Sequence, residues 1–195
     1  MFLPQLKTPP AAATDVLSVA ELKSSLRINH SSEDALLTRF INAAVARVDG
    51  YYGVLGKALL TQTWQVKVER FERSNICLPF GNNITAAVVK YYDSANSIQT
   101  FDGSKYSFYD TVIGPVVELN YNETWPQMYT RIDPLLIEWT IGFGDASAIP
   151  SAIKEAIAFL ASHFYENRAV TDIQSFKDLP PAAQSLLSSY SSIGI

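Results

Sequence analysis

The hydrophobic period of this chain changes twice along its length, and no other feature limits the possible folds as strongly. Val19, Leu22 and Leu26 share one face of a short helical segment. Leu37, Phe40, Ile41, Ala44, Val45 and Val48 then continue at helical spacing. From Thr63 the period drops to two, with Trp64, Val66 and Val68 alternating with Thr63, Gln65, Lys67 and Glu69, the pattern of a half-buried strand. Leu135, Ile137, Trp139 and Ile141 alternate in the same way, after which Ile153, Ala156, Ile157, Leu160 and Phe164 return to helical spacing. The pattern predicts an α+β chain. Its core is a small helical bundle, with helices near 18–27, 32–52 and 150–167, into which an antiparallel β region is inserted.

Local signals refine the boundaries. Ser18 with Glu21 is a capping-box pattern, and Ser31 with Asp34 repeats the cap signal. The second helix is expected to run to Tyr51 or Tyr52 and stop near Gly53 and Gly56. Residues 84–92 read as a strand ended by the turn-prone Asp93–Asn96, Asp102-Gly103 as a hairpin turn, and Gly114-Pro115 as a further break before the short apolar Val116–Leu119. Pro150 suits the first turn of the last long helix. Residues 1–16, rich in Pro and Ala, read as a flexible arm. Residues 17–168 form the main domain, with a helical core at 17–56 and 149–168 around a β insertion at 59–143, and 169–195 form a Ser-rich tail.

Several function classes lose support from composition and motif spacing. The formal net charge of −4 argues against a coat on nucleic acid, which needs a positive face. A single cysteine, Cys77, leaves no internal disulfide and no multi-cysteine zinc site. No apolar stretch reaches the roughly 20 residues of a membrane span, and residues 1–10 lack the basic-then-apolar pattern of a signal peptide, so the chain reads as made in the cytoplasm with no membrane partner. Charged residues are only 17% of the chain, leaving a neutral, adhesive surface that suits a subunit covered by neighbours.

No catalytic set assembles from the remaining motifs. His163 and Glu166 share a helix face, but the only other histidine is His30, so no metal or cofactor is expected. Gly142-Phe143-Gly144 precedes a helix without the lysine and hydroxyl of a phosphate loop, and reads as a flexible strand exit. The acidic residues Asp93, Asp102, Asp110, Glu118, Glu123, Asp133 and Glu138 offer no pair selected for glycoside hydrolysis. Trp64 and Trp139 read as core, whereas Trp125, in the loop Asn122–Pro126, is a candidate exposed contact. The tail ends in Leu186, Leu187, Tyr190, Ile193 and Ile195, a spacing suited to anchoring in a partner's groove, against the alternative of folding back on its own domain.

A collinear series of segments carries a family resemblance from about Leu17 to Arg168. It comprises Leu17-Ser18-Val19-Ala20-Glu21-Leu22-Lys23, Leu26-Arg27-Ile28, Ser32-Glu33-Asp34-Ala35-Leu36-Leu37, Ile41 to Ala46 leading to Tyr51-Tyr52-Gly53, and Leu59-Leu60-Thr61-Gln62-Thr63-Trp64. Ile76-Cys77-Leu78-Pro79, Val88-Val89-Lys90-Tyr91-Tyr92-Asp93, Trp125-Pro126, Ile149 to Ala156 and His163 to Arg168 complete it. The chain resembles the phage head–tail connector (adaptor) family, the gp6-like and phiE125 gp8-like proteins of tailed phages. It departs from that pattern in its long Ser-rich tail and in the Asn-, Ser- and Tyr-rich stretch from Asn75 to Ser107.

The resemblance implies a structural, non-enzymatic subunit of the virion neck, assembled in the host cytoplasm. It implies a self-associated ring of about twelve copies. That ring sits beneath the portal protein, extends the channel through which genomic double-stranded DNA passes without sequence recognition, and receives the stopper or tail-completion protein. Leu186, Leu187, Tyr190, Ile193 and Ile195 then become the expected portal-docking tail, with Trp125 as a loop contact. The competing expectation is a β-rich module that binds carbohydrate or protein, using Trp125 with Tyr121 and Tyr129.

Overall fold

A computed structural model describes residues 2–71, 74–167 and 179–191. The chain divides into two compact units: one is built from residues 1–10 and 61–143, the other mainly from 11–60 and 144–193. The α+β class and the antiparallel sheets match the sequence reading.

The helical unit contains α1 (Ala13–Val16), α2 (Val19–Leu26), α3 (Asp34–Val48), α4 (Ser151–Glu166) and α5 (Pro181–Ser188). The capping box before α2 is formed: Glu21 N donates to Ser18 Oγ at 3.2 Å, and Ser18 N donates to Glu21 Oε2 at 2.7 Å. The second expected cap is not. Glu33 occupies the N-cap of α3 without a side-chain capping bond, its carboxylate accepting the Tyr165 hydroxyl at 2.6 Å, and Asp34 receives Lys23 Nζ at 2.8 Å, tying α3 to α2. Helix α3 stops at Val48, earlier than Tyr51. Asp49 takes an extended conformation and its carboxylate accepts Leu59 N at 2.7 Å. Gly53 completes the bend where a Cβ would lie 2.3 Å from the Val48 carbonyl oxygen, so only glycine fits. The apolar stripes read from the sequence face inward: Leu37, Ile41, Ala44 and Val48 of α3, with Ile153, Ala156, Ile157 and Leu160 of α4, are at most 2% exposed.

The β unit holds two antiparallel sheets. The larger has the order β1 (Gln5–Thr8), β2 (Gln62–Val68), β8 (Leu135–Ile141), β4 (Ala86–Tyr92), β5 (Ile98–Thr100). The smaller has the order β3 (Asn75–Cys77), β7 (Gly114–Leu119), β6 (Tyr106–Thr111). Part of the segment read as a loose arm is therefore an edge strand, with Gln5 and Leu6 opposite Gln65 and Trp64. The Asp102-Gly103 hairpin expectation is corrected. Asp102 Oδ1 accepts Ser104 N at 2.9 Å and starts a short 3₁₀ turn that carries the chain from β5 in one sheet to β6 in the other. The hairpin lies instead at Val112-Ile113, closed by the Thr111–Gly114 pair, with Gly114 at φ 127° absorbing the strain. Trp64 and Trp139 are core, as expected: Phe80 meets both rings edge-on, at 4.7 and 6.0 Å between centroids.

Candidate functional site

Strand β8 lies at the centre of the larger sheet, so its outward residues are within reach of side chains from strands on both sides. Leu135, Ile137, Trp139 and Ile141 point to the core, which leaves Glu138 on the other face. Its carboxylate sits 2.6 Å from Lys7 Nζ of β1 and 2.9 Å from Lys90 Nζ of β4. Burial pushes the Glu138 carboxyl up, but hydrogen bonds from Lys7 and Lys90 outweigh it and hold the pKa below its ordinary value. A carboxylate with a depressed folded pKa contributes its stability above the unfolded value of about 4.3 and loses it as pH falls through the lower folded value. Strand β1 is an edge strand whose side chains are exposed along its length, so it should open first in acid. Amide exchange at Gln5–Thr8, at neutral pH and below pH 4, reads this directly, and Glu138→Gln should remove most of the pH dependence. Equal protection of β1 at both pH values would show that the ion pairs do not hold the edge.

The other carboxylates serve as local staples. Asp133 is held low, first by the hydrogen bond from Lys67 and then by that from Arg131, both at 2.7 Å. Arg131 also lies over the Tyr92 ring, 3.7 Å from its centroid. Asp93 accepts from Ser97 N, Gln99 Nε2 and Ala95 N, and Asp102 from Ser104 N and Oγ; these bonds lower both pKa values. Asp110 accepts Ile84 N, Glu118 accepts the Tyr109 hydroxyl, and Glu123 pairs with Lys105. A general acid of glycoside hydrolysis needs a carboxyl raised toward neutrality. Among the described residues each carboxyl with a resolved shift is lowered: Glu21, Asp93, Asp102, Asp133, Glu138 and Asp145. No group of three or more His, Cys, Asp or Glu among the described residues is placed to hold a metal. His163 is engaged at the C-terminus of α4, where Asn167 Nδ2 lies 3.1 Å from its Nδ1 and donates to its carbonyl at 2.9 Å. Gly142 and Gly144, at φ 134° and 111°, shape the exit from β8.

The residues expected to make contacts are distributed unevenly. Trp125 is half-buried, stacked on Phe71 at 4.3 Å and an interplanar angle of 3°, and tilted toward Phe101 at 5.4 Å. One face of the indole is therefore occupied by its own unit, while Tyr121 and Tyr129 are exposed beside it in the sequence. In the tail, Leu187 is buried and Ala183 with it, packing α5 onto α4. Leu186 and Tyr190 are half-exposed, and Ile193 and Ile195 lie outside the described residues.

Two apolar surfaces of the β unit escaped the sequence reading. One is the β6–β7 tip, where Val112 is 84% and Ile113 78% exposed. The other is a cavity of about 440 Å³ lined by Phe2, Leu3, Gln5, Lys67, Ile132 and Asp133. The tip was legible only as an apolar pair before Gly114. The cavity joins residues 2–5 to residues 132–133, and no local pattern announces such a pairing.

Residues 17–108 match the family model of phage gp6-like head–tail connector proteins, which bears out the resemblance read from the sequence over that span. No curated protein sequence matches the chain. The fold as a whole is similar to a chain in the neck of an empty gene transfer agent particle computed with C6 symmetry. That likeness has a TM-score of 0.78 at 21% identity and covers 100% of this chain and 97% of the other. A chain in the virion of the native gene transfer agent particle gives 0.77, with the same identity and coverage. A chain in the native neck computed with C12 symmetry gives 0.74 at 21% identity, covering 98% and 97%. At this identity the likeness establishes the fold.

Proposed function

Taking as premise that residues 17–108 carry the gp6-like head–tail connector pattern, we propose that this chain is a structural connector subunit of a virion neck. It self-associates into a ring of about twelve copies, and each exposed surface is a contact in that assembly. The observation that carries this reading is the extension of the family match, by likeness of fold over the whole chain, to neck chains computed with C6 and C12 symmetry. The subunit has no catalytic role. The carboxylates Asp93, Asp102, Asp110, Asp133 and Glu138 are engaged in local bonds and ion pairs within their own unit. The net charge of −4 supports a channel that lets DNA pass without gripping its phosphates.

The ring docks beneath the portal through the C-terminal tail and presents its opposite side to the stopper or tail-completion protein. Leu187 anchors α5, which leaves the half-exposed Leu186 and Tyr190, continuing toward Ile193 and Ile195, as the docking residues. The full chain, mixed with the portal protein encoded by the same genome and imaged by electron microscopy, should form a ring on the portal. Leu186→Ser with Tyr190→Ser keeps the Ala183 and Leu187 packing and should abolish attachment without unfolding the chain. A wild-type chain that leaves the portal bare would sink the connector reading. Normal attachment of the double variant would remove only the role of the tail.

A further inference from the structure

We propose that the β6–β7 tip of one copy seats in the cavity beside Phe2, Leu3 and Ile132 of the next copy, forming the repeating contact of the ring. The inference rests on the connector reading and deepens it by naming the surfaces that join copies.

The tip is built against the usual chemistry of turns. Two-residue hairpin loops favour Gly, Asn and Asp. Here Gly114, at φ 127°, supplies the unusual backbone conformation, so Val112 and Ile113 contribute nothing that the turn requires. They place two branched apolar side chains in water, 84% and 78% exposed. Such a pair is explained by a partner. Within its own unit the tip is held firmly: Thr111 Oγ1 donates to the Gly114 carbonyl at 2.7 Å, and the Asp110 carboxylate accepts Ile84 N at 3.0 Å. A pre-ordered projection loses little entropy on docking.

The cavity has complementary character. Phe2, Leu3 and Ile132 give it apolar walls, and Leu3 and Ile132 are themselves 67% and 71% exposed. Two of its lining residues are tied together by Phe2 N donating to the Lys67 carbonyl at 3.0 Å. Its two charges, Lys67 and Asp133, are paired at 2.7 Å, and Asp133 also binds Arg131. An uncharged tip therefore meets no unpaired charge there.

Placement decides the occupant. The tip lies at the end of the larger sheet marked by Ile141. Ile84, which holds Asp110, precedes β4 there, and a Cβ on Gly81 would touch both Ile141 and Pro115 of β7. The cavity lies at the other end, where Lys67 and Asp133 flank the pairing of Val68 with Leu135. The seven residues of β8 separate the two ends by about 20 Å. A tip and a receptor at opposite ends of one unit cannot satisfy each other within a single copy. In a ring each copy offers its tip to one neighbour and its cavity to the other, a heterologous, head-to-tail contact that closes when the rotation permits.

The test uses the full chain on its portal, in a Cys77→Ser background because Cys77 is exposed. Ile113→Cys combined with Ile132→Cys, under mild oxidation, should give a ladder of disulfide-linked multimers on a non-reducing gel, and neither single variant should. Separately, Ile113→Asp should weaken association between copies by at least about 30-fold, with little change when salt is raised. Rings that form on the portal without a ladder, or that tolerate Ile113→Asp, would overturn the tip-in-cavity contact and leave the connector reading standing. Dimers from Ile113→Cys alone would also overturn it, because they mean tip against tip. Failure of the wild-type chain to ring the portal overturns both.

Discussion

Trp139→Ala lowers the stability of the β unit by about 3–5 kcal/mol, the usual range for removing a buried aromatic from a core. Trp139 is fully buried on the central strand β8, paired with Trp64 of β2 and facing Phe80 at 6.0 Å. The surrounding strands are held in register by ladders on both sides and cannot collapse into the vacated space. Trp139→Phe should cost clearly less. The indole Nε1 is buried with no hydrogen-bond partner among the described residues, and phenylalanine removes that donor along with some volume. Urea denaturation of the full chain and both variants, followed by circular dichroism, measures the difference. A loss below about 1 kcal/mol for Trp139→Ala would contradict the packing described.

Leu187→Asp should release α5 from α4. Leu187 is 3% exposed and Ala183 fully buried, and these two residues anchor an eight-residue helix. A helix this short is not stable in water without tertiary packing. A carboxylate at position 187 is either buried unpaired, at a cost of several kcal/mol, or driven into solvent, taking α5 with it. Amide protection across residues 181–188 should therefore vanish while that of α3 and the rest of α4 persists. Leu186→Asp, half-exposed on the next position, is the control and should leave α5 docked. Protection surviving in Leu187→Asp would mean that α5 is held by something other than this contact. The outcome also separates the packing of α5, which rests on Leu187 inside the subunit, from the portal docking proposed for Leu186 and Tyr190.

The helices were largely legible because their signals are local. Apolar residues at helical spacing marked the inner faces of α3 and α4, and Ser18 with Glu21 formed the cap that the spacing predicts. Where a signal had two possible uses, the tertiary structure chose. Asp34 pairs with Lys23 across two helices in place of a capping role, and Asp49 ends α3 by accepting a bond from Leu59, ten residues away. Asp102-Gly103 has the composition of a hairpin but joins strands of different sheets. The hairpin at Val112-Ile113 shows only Gly114 as a cue.

By itself the sequence determined the α+β class, the helix faces, the alternation that buries Trp64 and Trp139, and a family likeness confirmed over residues 17–108. Each of these depends on residues within a few positions of one another, where periodicity and capping chemistry act. Only the tertiary structure decided that residues 5–8 are an edge strand held to Glu138 through Lys7, that Trp125 stacks on Phe71, that Leu187 turns inward, and that an apolar tip and an apolar cavity stand at opposite ends of one sheet. Those facts join residues as much as 131 positions apart, as in Lys7 to Glu138 (138 minus 7). Burial and pairing at such separations are properties of the assembled core, and no local pattern in the chain encodes them.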